Sequence, residues 1–172
     1  MLKLFAKMIG TGVITEPPPD DATIASVGGE LKRGLTRNFR GSIAIRHVDA
    51  GSCNGCELEI HALNNAFYDV ERYGVHFVAS PRHADVLLVT GPVSRHMEAA
   101  LRRTWEAMPN PKWVIASGTC ACDGGEFGIS YASCGAVENV IPVDLRIPGC
   151  PPSPTALLSG LVQLMKTPIV KE

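Results

Sequence analysis

Net charge is what this sequence has least of. Sixteen Lys and Arg stand against 17 Asp and Glu, and charged residues make up only 19% of the 172. That balance gives no push toward nucleic acid, which draws on a cationic face. No apolar run approaches the length needed to cross a bilayer, so no spanning segment is expected. Lys7 interrupts the apolar start and no small-residue cleavage pattern follows it, so a secretory signal is not expected either. Without export, six cysteines are more naturally ligands or free thiols than a disulfide framework. No internal repeat is visible.

What is present is a core. Hydrophobic residues make up 45% of a chain long enough for one domain with an appended arm. Low charge on a small domain also suits a subunit that hides surface against partners. Residues 1–41 read as an irregular arm and linker. Leu2, Leu4, Phe5, Met8 and Ile9 can line one face of a short helix, either a frayed terminus or an anchor on a partner or membrane surface. Pro17-Pro18-Pro19-Asp20-Asp21 reads as a stiff extended linker. Lys32, Arg33, Arg37 and Arg40 form a loose basic run, read as a solvated face or as a docking site for an acidic partner or headgroups.

From 42 to 172 the pattern is regular. Ile43, Ile45 and Val48 mark a first strand. Cys56, Ile60, Leu63, Phe67 and Val70 form one helical stripe, closed by Gly74. Strands follow over 75–79 and 85–90, the second with the near-continuous apolar run of a strand covered on both faces. Ser94 can cap a helix that turns Met97, Leu101, Trp105 and Met108 inward. A fourth strand spans 112–117, and a fifth 140–147, where Pro142 argues for an edge or a break. A last helix, with Ser153 as cap and Pro154 at its first position, buries Leu157, Leu158, Leu161, Val162 and Met165. Alternating strands and helices predict a doubly wound parallel sheet, with a flavodoxin-like order as the simplest at this length.

Cys53 and Cys56 follow the first strand, Cys120 the fourth and Cys150 the fifth. In a parallel sheet these positions share the carboxyl edge, where ligands collect. Four thiolates can carry a [4Fe–4S] cluster or a zinc ion. Structural zinc favours two local C-x-x-C pairs; here only Cys53 and Cys56 form one, so spacing favours the cluster. Cys122 lies two residues past Cys120 and could take its place. The spare cysteines, Cys134 among them, read as small buried hydrophobes.

The stretches Gly-Ser-Cys-Asn-Gly-Cys-Glu, Ser-Pro-Arg-His-Ala-Asp-Val-Leu-Leu-Val-Thr-Gly-Pro, Gly-Thr-Cys-Ala-Cys-Asp-Gly-Gly and Ile-Pro-Gly-Cys-Pro-Pro occur here in that order. Together, over about 42–165, they resemble the small subunits of [NiFe] hydrogenases and the related 20 kDa (B-type) subunit of respiratory complex I. The two residues between Cys53 and Cys56, where complex I subunits have adjacent cysteines, look like the hydrogenase branch. The complex I-like loops and single cluster motif look like its membrane-bound, energy-converting, formate hydrogenlyase-like group. Many hydrogenase small subunits carry further cluster cysteines in a C-terminal extension that this sequence does not show.

The resemblance implies that Cys53, Cys56, Cys120 and Cys150 hold one proximal [4Fe–4S] cluster, and it selects Cys120 over Cys122. It implies an electron-transfer subunit of an oxidoreductase, with no bond-making site of its own. Such a subunit works with a large subunit holding a nickel–iron centre, a ferredoxin-like subunit and membrane-embedded subunits, peripherally on the cytoplasmic face of the membrane. A quinone or sulfur reductase built like complex I would use the same chain with another partner, and a non-redox zinc scaffold is the alternative of a different kind. Where many hydrogenase small subunits have an acid two residues past the second cysteine, this chain has Leu58. Glu57 and Glu59 beside it are therefore read only as acids favoured by a helix N-terminus. His47, His61, His76, His83 and His96 are not needed as ligands and read as surface or interface residues, with His83 expected nearest the partner.

Overall fold

A computed structural model describes residues 2–12 and 19–166. In chain order the elements are α1 (Leu2–Thr11), α2 (Asp21–Asn38), β1 (Ile43–Asp49), α3 (Gly55–Ala62), β2 (Val75–Phe77), β3 (Val86–Thr90), β4 (Val93–Ser94), α4 (Arg95–Ala107), β5 (Trp113–Ser117), α5 (Thr119–Asp123), β6 (Ser133–Gly135), β7 (Leu145–Ile147) and α6 (Pro154–Lys166). Five strands form one parallel sheet in the order β2-β1-β3-β5-β7, the doubly wound, flavodoxin-like arrangement expected. Edge strand β7 starts only at Leu145, past Pro142, so the fifth strand is shorter than its apolar run. A short antiparallel ribbon of β4 and β6 lies outside the main sheet.

Both faces of the sheet are covered. β3 is buried along its whole length, and its side chains alternate between two cores. Val86 and Leu88 join Ile43, Ile45 and Ile115 under helices α2, α3 and α6; Leu87 and Val89 join Val114 and Ala116 under α4 and α5. The side chains of Asp85 and Asp144 accept the backbone N–H of Ala44 and Val114, both at 2.8 Å, and so tie the strands' starting ends together.

The region read as an irregular arm is largely helical. Asp20 accepts the N–H of Thr23 at 3.0 Å and caps α2, so the acidic pair after the prolines opens a helix instead of extending a linker. Pro17 and Pro18 lie outside the described residues. Ile24, Gly28, Leu31 and Leu35 are the buried face of α2, which packs on α6. A Cβ on Gly34 would stand 2.7 Å from Met165 Cβ, and one on Gly28 would overlap the Tyr73 ring, so these glycines let the helix sit close. Lys32, Arg33, Arg37 and Arg40 are not buried. Helix α1, in contrast, buries none of its residues.

The helix after β1 ends earlier than its stripe suggests. Asn65 accepts the N–H groups of Phe67 and Tyr68, both at 2.9 Å, and Asp69 takes a left-handed φ of 43°. A side chain that competes for backbone donors in this way breaks the helical ladder. Val70 still reaches the core from a separate 3₁₀ turn, and Phe67 is exposed. The caps expected at Ser94 and Ser153 both form, accepting Met97 N–H and Ala156 N–H at 3.3 Å. No helix among the described residues is long and apolar enough to cross a membrane.

Candidate metal centre

The carboxyl edge of the sheet is built from three loops. After β1, Asp49 accepts the N–H groups of Gly51 and Ser52, both at 2.8 Å, and Ser52 Oγ accepts that of Asn54 at 3.1 Å. Asn54 turns the chain with a left-handed φ of 73°, and α3 starts at once, with Cys53 just before it and Cys56 in its first turn. The loops after β5 and β7 are stitched together: Gly118 N–H reaches Ile147 O and Thr119 N–H reaches Gly149 O, both at 2.8 Å. This places Cys120 beside Cys150.

The loops meet at sulfur. A Cβ on Gly118 would lie 2.7 Å from Cys56 Sγ, and one on Gly125 would lie 2.8 Å from Cys120 Sγ. A Cβ on Gly55 would touch both Cys53 Sγ, at 3.6 Å, and Pro151 of the β7 loop, at 3.8 Å. The glycines let backbone approach the thiols closely. Cys53 and Cys150 are exposed; Cys56 and Cys120 are half-buried.

The thiols also sense one another. Burial pushes the Cys56 thiol up to about 11, with Glu57 and then the charges of Cys53, Cys120 and Cys150 adding to it. Burial likewise raises Cys120, followed by the charges of Cys150 and Cys53. For Cys56 and Cys120, then, burial first and nearby negative charge second disfavour the thiolate. Among the described residues, no three His, Cys, Asp or Glu side chains converge closely enough to share a single metal ion.

Cys122 and Cys134 stand apart. Cys122 Sγ donates to Ala116 O at 3.5 Å, and Cys134 Sγ donates to the Glu98 carboxylate at 3.3 Å. Both pack into the core under α4 and α5. Of the histidines, His61, His76, His83 and His96 are exposed, whereas His47 is half-buried. Its Nε2 lies 3.0 Å from Thr90 Oγ1 and 3.6 Å from Glu57.

Glu57 is the residue that sequence reasoning undervalued. It is only 7% exposed, and its carboxylate accepts the hydroxyls of Ser52 and Thr90. Glu57 precedes buried Ile60 by three residues, which puts both on one helix face; this was the available signal. Glu59 is less deeply placed and lies past the first turn of α3, so the expected N-terminal acid there is Glu57 alone.

Residues 53–164 match the family described as NADH ubiquinone oxidoreductase, 20 Kd subunit. The chain belongs to that family. The resemblance carried by the four motifs leads to the same place. Formate hydrogenlyase subunit 7 of Escherichia coli is 42% identical over 152 residues, which cover 88% of this chain and 58% of that protein. A probable membrane-bound hydrogenase subunit of Pyrococcus furiosus is 49% identical, over 67% of this chain and 70% of that one. One subunit of the F(420)H(2) dehydrogenase of Methanosarcina mazei is 46% identical, over 64% of this chain and 60% of that one. The match thus spans less than two thirds of the length of two of these three relatives. Among solved structures, a chain of the membrane-bound sulfane sulfur reductase, an archaeal respiratory membrane complex, superposes with a TM-score of 0.66 at 35% identity, over 80% of this chain and 75% of that one. A chain of an NAD+-reducing [NiFe]-hydrogenase shares the fold, with a TM-score of 0.57 at 19% identity, over 72% of this chain and 91% of that one.

Proposed function

We propose that this subunit holds one [4Fe–4S] cluster on Cys53, Cys56, Cys120 and Cys150 and relays electrons within a membrane-bound hydrogenase complex. In this reading the cluster exchanges electrons with a nickel–iron centre in a large partner subunit on one side and a ferredoxin-like subunit on the other. What supports it is that Cys53, Cys56, Cys120 and Cys150 lie on three loops at one sheet edge, near enough for the others' charges to act on Cys56, while Cys122 and Cys134 are turned to protein acceptors. The chain's own part is to supply thiolates and to bring backbone close through Gly118 and Gly125. It has no bond-making site of its own in this account. Zinc has less in its support, because structural zinc favours two local C-x-x-C pairs and only Cys53 and Cys56 form one here.

Exposed apolar side chains border the same edge. Leu58 follows the ligand turn of α3, and Phe127, Ile129 and Tyr131 lie in the segment after α5. A large subunit seated there would cover them and bring its own centre near the cluster. Partner subunits would hold this chain peripherally at the cytoplasmic face of the membrane.

A second reading keeps the cluster and changes the partner. The names of the relatives divide among hydrogenase, F420H2 dehydrogenase and sulfane sulfur reductase, which supports a complex I-like quinone or sulfur reductase as the alternative. Metal analysis of the complex isolated with its natural partners separates the readings. Nickel with iron is the expected result, iron without nickel gives the function to the second reading, and zinc alone removes both.

A further inference from the structure

Glu57 is buried at the point where the ligand loop meets the sheet's switch point, between β1 and β3. A buried carboxylate is costly unless its lone pairs are filled. Here the donors run toward it from both sides. Asn54 N–H donates to Ser52 Oγ at 3.1 Å, and Ser52 donates to one carboxylate oxygen. On the other side, Thr90 donates to the second oxygen. Thr90 has one hydroxyl proton, so its contact with His47 at 3.0 Å is filled by the His47 Nε2 hydrogen. Glu57 is therefore the acceptor on which both chains of donors end. The contact is close in the backbone too: a Cβ on Gly91, next to Thr90, would lie 2.3 Å from Ser52 N. Asp49 holds the start of the loop through Gly51 and Ser52, but Asn54, the residue before α3, gives the helix no side-chain cap, so the end of the loop leans on this network.

We propose that Glu57 is the positioning residue of the Cys53–Cys56 loop, fastening it to the ends of β1 and β3 through Ser52, Thr90 and His47. The loop's part in holding a cluster rests on the proposed function; its fastening does not. Glutamine in place of Glu57 can accept from only one of the two hydroxyls, and alanine from neither. The order of looseness is therefore wild type, then Glu57→Gln, then Glu57→Ala.

Hydrogen exchange in the full chain, within its complex, tests this. Glu57→Ala is expected to speed exchange at Ser52 and Asn54 at least about tenfold, the loss of a buried hydrogen bond, with a smaller rise for Glu57→Gln. Glu59→Gln removes a similar charge from the same helix and is expected to leave both amides unchanged. In the same samples, Glu57→Gln is expected to keep its iron and shift the reduction potential, because the loop's placement against the cluster changes. Should Glu57→Ala fail to fold, the glutamine variant decides alone. Wild-type exchange and potential in Glu57→Gln would overturn the proposal. Faster exchange in a complex whose wild-type chain binds no iron would instead uphold the fastening and sink the cluster reading.

Discussion

Two groups of cysteine in this chain differ in what their sulfurs meet. Cys53, Cys56, Cys120 and Cys150 sit at loop ends on the sheet edge, exposed or half-buried, and the charges of the other three act on Cys56. Cys122 and Cys134 are packed under α4 and α5, each with a protein acceptor for its S–H. Cys120 and Cys122 are two residues apart and share the short helix α5, yet they point to different environments. The α5 turn, which rotates side chains by about 100° per residue, separates them where an extended chain would have put them on one face. Under the proposed function the first group is arranged for a metal group, whereas Cys122 and Cys134, each bonded to a protein acceptor, are arranged for packing.

The largest effect expected from this contrast is on iron. Cys150→Ser is expected to lose most of the iron, since a four-thiolate site has no spare ligand, while Cys134→Ala is expected to keep all of it. Full retention in the first or loss in the second, measured as iron per chain, would erase the distinction. Gly118→Ala attacks the edge without removing a thiol. Its Cβ would meet Cys56 Sγ at 2.7 Å, and its φ of 89° disfavours any side chain. Lower iron content with all six cysteines present is the expected outcome.

Interior changes should act on stability instead. Leu31→Ala in α2 is expected to cost about 2–5 kcal/mol in denaturant unfolding, because the side chain is fully buried. A near-zero cost would detach α2 from the domain. Cys134→Ala is expected to cost about 1–2 kcal/mol, for a small buried side chain and a lost hydrogen bond to Glu98. The smallest effect concerns pH. A hydrogen bond from Lys166, at 2.9 Å, and then its charge hold the Glu30 carboxyl below its ordinary range. A depressed folded pKa contributes stability that is present above the unfolded carboxylate pKa and fades as pH falls through the folded one. The pair is exposed, so the effect is small. The gap in Tm between wild type and Lys166→Met is expected to close as pH is lowered through that window.

The sheet was legible because burial on both faces writes continuous apolar runs at 86–89 and 113–116, and the Cys120 loop follows the second of them directly. Helix α2 was harder to see. Gly28, Gly29 and Gly34 depress its helix propensity, and the buried spacing of Ile24, Gly28, Leu31 and Leu35 includes a glycine that makes sense only against Tyr73. The early end of α3 depends on where the Asn65 side chain turns, and the β4–β6 ribbon is too short to leave a period. Glu57 looked like a first-turn acid because its partners, Ser52 and Thr90, gather only when the sheet is assembled.

The most direct measurement is the iron and acid-labile sulfide bound to this chain in its purified complex. Iron and sulfide in equal amounts, both lost in Cys120→Ser and both kept in Cys122→Ser, is the predicted result. Zinc without sulfide, or iron that survives Cys120→Ser and leaves with Cys122→Ser, would contradict the account.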